Sequence, residues 1–383
     1  MDNKKSKSIL FIQGVFEGHV TSTIELVNDL ISLGYNVSCY VLDQFAKRYE
    51  NTGAKLIIYS IEKKDLYQNK NSFRDLLLFR CLDTILTQGK KEKEKYDYLL
   101  VDSLFDGKEI NKIFKASAVI SVHTLPHIQF PLDLIKQANK EVSNLVSILN
   151  KKFNLDFKDP LTIISNQNAK YKLVLTSRKF QSSLVCLDHS FYFIGPSFIE
   201  KKPIDKSFPF KKDLNKKLIY ISLGTVFNNN MDFFKLCIKT FAFSKKFQLI
   251  LSIGKSNDIK EFGKLPDNVY IYNFVPQQQI LAEADIFISH GGLNSINERL
   301  ILSKKPLIII PQFGDQFSNA YQIALLGAGI SLDKDKVNED DLKNAVNSIL
   351  DDGEKYKKRV EKILESFQNA RNERKKILKK LLI

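Results

Sequence analysis

The sequence has no tryptophan, only four cysteines among 383 residues and no uninterrupted apolar run of eighteen residues, and each shortage removes a class of protein. Without a long apolar run no membrane-spanning helix is expected. Cys39, Cys81, Cys186 and Cys237 are scattered without a paired spacing, which argues against a disulfide framework or a zinc site and fits a reducing cytoplasm. The start, MDNKKSKSILFIQG, is basic, but its apolar run is four residues long, too short for the core of a secretory signal. With tryptophan missing, any aromatic stacking platform has to be a smaller ring.

What is present is the balance of an ordinary globular protein: 44% hydrophobic and 26% charged residues, in a chain long enough for two cores. The formal charge is +15, and residues 354–383 hold eleven Lys or Arg against four Glu, a net +7. Val360, Ile363, Leu364 and Phe367 recur there at helical spacing, so a helix is expected with its apolar stripe inward and its basic side chains mostly outward. The alternative for that stretch is peripheral contact with an anionic membrane surface. Nucleic acid is not an expected partner, because the interleaved basic and aromatic pattern of single-strand binders is absent.

Short apolar runs alternate with helical patterns along the first half: SILFIQ, a helix from about Thr21 to Leu33, YNVSCYVLD, AKLIIYS, a long helix, YDYLLVD, then SAVISV, YKLVLTS and FYFIG. Such alternation predicts an α/β fold with a parallel, doubly wound sheet. Between Gly195 and about Lys217 the chain is lysine-rich, carries three prolines and loses its period, as an interdomain linker does. The alternation then restarts with KLIYISLG, FQLILSIG, NVYIYNF, DIFISH and KPLIIIPQ. Domains are expected at 1–200 and 216–360, followed by a basic helix at 361–383.

In such sheets ligands sit beyond the carboxyl ends of the strands. In DIFISHGGLNSINERL a strand ends at Ser289, and His290, Gly291 and Gly292 lead into a helix that Asn294 and Ser295 are expected to cap. Two glycines and a helix N-terminus suit a diphosphate, His290 offers a donor, and Glu298 is placed to accept from ribose hydroxyls. The plain alternative is a strand-to-helix turn. After the first strand of the same half, Gly224 and Thr225 in ISLGT are expected near the phosphates. In the N-terminal half, QGVFEGHV sets His19 at a helix start, where the imidazolium is disfavoured and the neutral ring is available as a base. Asp102 ends the strand YDYLLVD, with Asp106 as a second candidate. His123 and His127 follow a strand and read as structural, with lining of an acceptor pocket as the alternative; His189 has no supporting motif.

Residues 270–332 resemble the nucleotide-sugar signature of the UDP-glycosyltransferase superfamily, in particular its bacterial macrolide-glycosyltransferase branch. The matched positions are Phe274, Pro276, Gln277, His290, Gly292, Asn294, Ser295, Glu298, Pro311, Asp315 and Gln316. The resemblance implies a GT-B fold: two Rossmann-like doubly wound domains facing across a cleft, with the C-terminal helix packing back on the N-terminal domain. It implies that Phe274 stacks on the nucleobase with the Val275 backbone and Gln277 beside it. His290, Gly292, Asn294 and Ser295 would hold the diphosphate, Glu298 the ribose, and Asp315 and Gln316 the sugar. Many members carry Trp at the position of Phe274, so the choice of base stays open. Leu293 and Gly291 replace plant-type Trp and Cys.

The family's base lies in a Gly-His motif that Gly18 and His19 match, although Ser22 stands where a proline is common. An Asp on a later strand, here Asp102, would orient it. The implied activity is an inverting hexosyl transfer from a nucleotide sugar, UDP-linked first and dTDP-linked second, to a hydroxyl of a small hydrophobic or amphiphilic acceptor. No metal or other cofactor is expected, and Asp333-Lys334-Asp335, the one Asp-x-Asp string, reads as a surface turn. The competing readings are a catalytically silent nucleotide-sugar-binding partner and a dinucleotide-dependent oxidoreductase. The latter is opposed by the absence of G-x-G-x-x-G from the loop holding Gly14 and Gly18.

Overall fold

A computed structural model describes residues 6–61, 73–124, 140–158, 169–181, 187–198, 207–225 and 228–382. His127 and Cys186 lie outside the described residues; Cys39, Cys81 and Cys237 are buried free thiols. The chain divides into two compact units, one formed by residues 1–197 and 367–383 and the other by residues 198–366.

The first unit is a seven-stranded sheet of β1 (Ser8–Ile12), β2 (Asn36–Leu42), β3 (Lys55–Tyr59), β4 (Tyr98–Asp102), β5 (Ala118–His123), β6 (Tyr171–Val174) and β7 (Phe191–Phe193). Its order is β3-β2-β1-β4-β5-β6-β7, and every pairing is parallel. Its helices among the described residues are α1 (Glu17–Ser32), α2 (Phe73–Gly89), α3 (Gly107–Phe114) and α4 (Lys140–Phe153). Ile9 to Ile12 and Leu99 to Val101 are wholly buried, as expected of central parallel strands covered on both faces. Helix α1 begins at Glu17, about a turn earlier than its apolar period suggests, which puts His19 inside the first turn.

The second unit repeats the plan. Strands β8 (Lys217–Ser222), β9 (Phe247–Ser252), β10 (Val269–Tyr272), β11 (Ile286–Ser289), β12 (Leu307–Ile309) and β13 (Gly329–Ser331) form a parallel sheet in the order β10-β9-β8-β11-β12-β13. Its helices are α5 (Met231–Phe241), α6 (Gln277–Glu283), α7 (Leu293–Ser303), α8 (Asp315–Leu325) and α9 (Glu339–Asp351). Strand β13, three residues in GAGISL, was not apparent from the sequence because it is too short to show a period.

A single helix, α10 (Gly353–Leu381), closes the chain and starts eight residues before position 361. Val360, Ile363 and Phe367 are buried, so the stripe read from the sequence does face inward. The last residues pack into the first unit. Arg374, 1% exposed, donates to the carbonyls of Ile194, Gly195 and Pro196 and pairs with Glu25 and Asp29. No helix among the described residues is long and apolar enough to cross a membrane.

Candidate active site

In both sheets the strand order reverses between the first strand of the unit and the fourth: β1 lies beside β4, and β8 beside β11. The connections on either side of such a switch point diverge and leave a crevice at the strands' carboxyl ends. Residues singled out from the sequence follow these four strands. His19 comes after β1, Asp102 ends β4, Gly224 and Thr225 follow β8, and His290 follows β11.

In the first unit His19 Nδ1 lies 2.9 and 3.0 Å from the two carboxylate oxygens of Asp102. Asp102 is 1% exposed and also accepts the Leu104 N–H at 2.9 Å, which fixes its orientation. A carboxylate only accepts, so Nδ1 carries the hydrogen and the lone pair is left on Nε2. Asp106 is engaged otherwise: it caps α3, accepting from the N–H groups of Lys108 and Glu109. Gly14, weighed in the sequence only as part of a dinucleotide loop, makes the pair possible. A Cβ there would fall 2.5 Å from His19 Cβ and 2.8 Å from Asp102 Oδ2. Ser22, at the position where the family often has proline, donates back to the His19 carbonyl at 2.9 Å. His123 is buried at the end of β5, with Nε2 2.7 Å from Ser121 Oγ, which agrees with the structural reading.

In the second unit Phe274 follows β10 and is 70% exposed, while its neighbour Val275 is buried. Gln277, the first residue of α6, ties three parts of the site together. It accepts from Tyr220 Oη at 3.1 Å and donates to Ser295 Oγ at 3.3 Å and to Glu298 Oε2 at 2.6 Å. Gln278 holds the other oxygen of Glu298 at 2.9 Å. The carboxylate is therefore held in place with acceptor capacity remaining on both oxygens. The amide oxygen of Gln316 accepts from the N–H groups of Gln312 and Phe313, so it fixes the loop before α8 and leaves only its nitrogen for a ligand. Asp315 is the first residue of α8, and Asn319 joins it to the glycine loop by donating to Gly291 O at 2.9 Å.

Gly224 and Gly292 flank His290. A Cβ at either would come within 2.6 and 2.5 Å of His290 Nε2, and Gly224 has φ +81° besides. His290 Nδ1 is buried without a hydrogen-bond partner. Burial pushes the imidazole pKa down to about 4, against a backbone hydrogen bond with Ser222 that acts the other way, so the ring is neutral at pH 7. The unfolded chain then binds more protons than the folded one between pH 6.5 and 4, and stability falls as pH drops through that window. Lowering the pH from 7 to 5 should cost about 2 kcal/mol through this residue. Urea denaturation of wild type and His290→Gln at both pH values checks it: the variant should lose less stability on acidification, and equal losses would refute the assignment.

One expectation needs correction. Asn294 and Ser295 do not cap α7: the cap is Gly292, no side chain makes a cap hydrogen bond, and both residues sit within the first turn. The chain enters the helix directly from the extended Gly292, and Ser295 is taken up by Gln277. An N-terminus without a side-chain cap is better suited to receive an anion, since a cap would compete for the same N–H groups. The sequence reading also missed Arg299. This wholly buried guanidinium donates to the carbonyls of Leu281, Ala284, Asp285 and Pro306, joining α7 to the end of α6. An arginine directly before the apolar run Leu300-Ile301-Leu302 in a helical stretch was the available signal. Asp333-Lys334-Asp335 forms a turn after β13 in which the Asp333 side chain accepts the Asp335 N–H. Among the described residues no cluster of three His, Cys, Asp or Glu suited to a metal ion occurs.

The family model described as UDP-glucoronosyl and UDP-glucosyl transferase matches residues 192–370. The chain is 30% identical over 354 residues to the NDP-glycosyltransferase YjiC of Bacillus licheniformis, covering 86% of each. It is also 30% identical over 350 residues to the NDP-glycosyltransferase YjiC of Bacillus subtilis, covering 88% of this chain and 87% of that one. Among solved structures, the glycotransferase of kitacinnamycin matches with a TM-score of 0.77 over 96% of both chains at 24% identity, a likeness of fold. Two parallel Rossmann-like sheets with their helices correspond to the GT-B architecture. With relatives that are 30% identical over 86% or more of both chains, the chain belongs to the UDP-glycosyltransferase family and is a glycosyltransferase enzyme.

Proposed function

We propose that the protein transfers a hexose, with inversion, from a nucleotide diphosphate sugar to a hydroxyl group of a small hydrophobic or amphiphilic acceptor. The observation that carries this reading is the partly buried His19–Asp102 pair, 2.9 Å apart, in a family member whose other unit has a histidine between two glycines at an uncapped helix. Asp102 holds His19 in the tautomer whose Nε2 takes the acceptor proton, and stabilises the imidazolium that forms. As the acceptor oxygen bonds to the anomeric carbon, the bond from that carbon to the diphosphate oxygen breaks and its electron pair leaves with the diphosphate. The positive end of α7 and the neutral His290 N–H face that growing charge in this reading, without a metal.

Phe274 supplies the stacking face for the base, and its exposure is what an aromatic platform awaiting a ring requires. A phenyl ring is smaller than an indole and leaves the choice of base open, and it is the resemblance to the family that puts UDP-sugars first and dTDP-sugars second. Glu298, pinned by Gln277 and Gln278, accepts from the ribose hydroxyls. Its replacement by alanine should weaken UDP binding about tenfold, the value of a lost charged hydrogen bond. Calorimetry with UDP measures this directly, and an unaltered affinity would remove the ribose role. The decisive experiment for the activity is a mass-spectrometric screen of UDP- and dTDP-hexoses against phenolic, macrolide and lipid acceptors. A product heavier by one hexose, with the β-anomer formed from an α-linked donor, is the expected result; retention of configuration would refute the mechanism.

A further inference from the structure

The outward face of α8 carries Phe317, Tyr321, Ala324 and Leu325, and no charged residue falls among them. Phe317, Tyr321 and Leu325 are 43%, 52% and 55% exposed, an unusual concentration of large apolar side chains on one surface helix. Beside the end of this face lies the first part of α10. Ala324, Leu325, Lys355, Tyr356 and Arg359 line one cavity of about 280 Å³. At 100° per residue, Lys355, Lys358, Arg359 and Lys362 fall within an arc of about 100° on α10. All four are exposed, and among the described residues none is in an ion pair with an acid. Every residue of this surface belongs to the second unit.

We infer that this surface docks the protein on an anionic lipid membrane, with the α8 face entering the headgroup boundary and the α10 arc holding the acidic headgroups. The last helix alone offers charge but no anchor, because Val360, Ile363, Phe367 and Leu378 are buried. Charge without an apolar anchor gives weak attachment, whereas the two together give peripheral binding. The same charge selects the occupant. A second copy packed face to face would bring two basic arcs together in a chain of net charge +15, while an anionic bilayer complements both features.

Flotation of the full-length protein with vesicles tests the inference independently of catalysis. The wild type should rise with vesicles of phosphatidylcholine and phosphatidylglycerol at low salt, stay behind with phosphatidylcholine alone, and be released by high salt. Tyr321→Gln combined with Leu325→Gln, and separately Lys355→Gln combined with Arg359→Gln, should each lower the bound fraction about tenfold. UDP binding by calorimetry should remain at the wild-type level in both variants, showing that the unit is folded. The inference is overturned if the wild type never floats or if the α8 variant floats undiminished. A wild-type dimer that the α8 variant dissociates would also overturn it, because the face would then serve self-association.

Discussion

Replacing His19 with alanine should lower kcat about a thousandfold and leave donor affinity unchanged. The size follows from the usual yield of general-base catalysis, roughly 10² to 10⁴ in rate. The unchanged affinity follows from the residue's place in the first unit, whereas the residues read as donor ligands belong to the second. Asp102→Asn should be nearly as damaging, for a different reason. An asparagine amide can donate to Nδ1, which favours the tautomer with hydrogen on Nε2 and removes the lone pair that takes the proton. Gly14→Ala is the steric counterpart, since its Cβ would meet both partners within 3 Å. Steady-state kinetics with donor and acceptor varied separately, together with thermal melts to confirm folding, would decide the matter. A His19→Ala enzyme that keeps near-wild-type turnover would eliminate this residue as the base.

The second large effect is on stability. Arg299→Leu should destabilise the second unit by about 4 kcal/mol, because four carbonyl groups lose their donor in a site closed to water. Burial pushes the guanidinium pKa down to about 9, partly offset by the nearby Asp285 carboxylate, so the side chain still carries its charge at pH 7. Its compensation is unusual: among the described residues its hydrogen bonds go to main-chain oxygens at the end of α6, in the turn into β11 and before β12. Lysine would not rescue it, since one ammonium group has three donors and no planar fork with which to reach carbonyls in several directions. In a unit of this size the loss corresponds to a fall of about 10 °C in the melting temperature of that unit. Calorimetric melts of wild type, Arg299→Leu and Arg299→Lys measure it, and a shift of a degree or two would mean that water or relaxation replaces the guanidinium. The substitution should weaken UDP binding as well, because Arg299 ties α7, which carries Glu298, to α6, which carries Gln277.

Much of the local plan was legible in the sequence because parallel strands buried on both faces are written as nearly continuous apolar runs. SILFIQ and YDYLLVD are examples, and both became central strands. Strand β13 escaped because three residues carry no period, and the start of α1 was placed late because its first turn, Glu17 to Val20, holds few apolar residues. The capping of α7 was misjudged for a related reason. Asn294 and Ser295 are good capping residues by type, yet the backbone turns into the helix at Gly292, so they fall inside the first turn. Residue type is local information, whereas the exact entry point depends on where β11 ends against β8.

The sequence by itself determined the two α/β units, the signature from Phe274 to Gln316, and the pairing of a histidine after one strand with an aspartate ending another. The units follow from apolar periodicity, whereas the signature and the expected histidine–aspartate pairing are what the family resemblance of the matched positions implies. Only the tertiary structure decided that Asp102 rather than Asp106 meets His19, that Gly14 makes room for them, and that Gly224 and Gly292 enclose His290. It also decided that Arg299 is buried on main-chain carbonyls and that α8 turns an aromatic face outward. Each of these depends on which strand lies beside which. That order is fixed by the packing of the whole sheet, through contacts between residues up to about ninety positions apart, and short-range pattern carries no record of it.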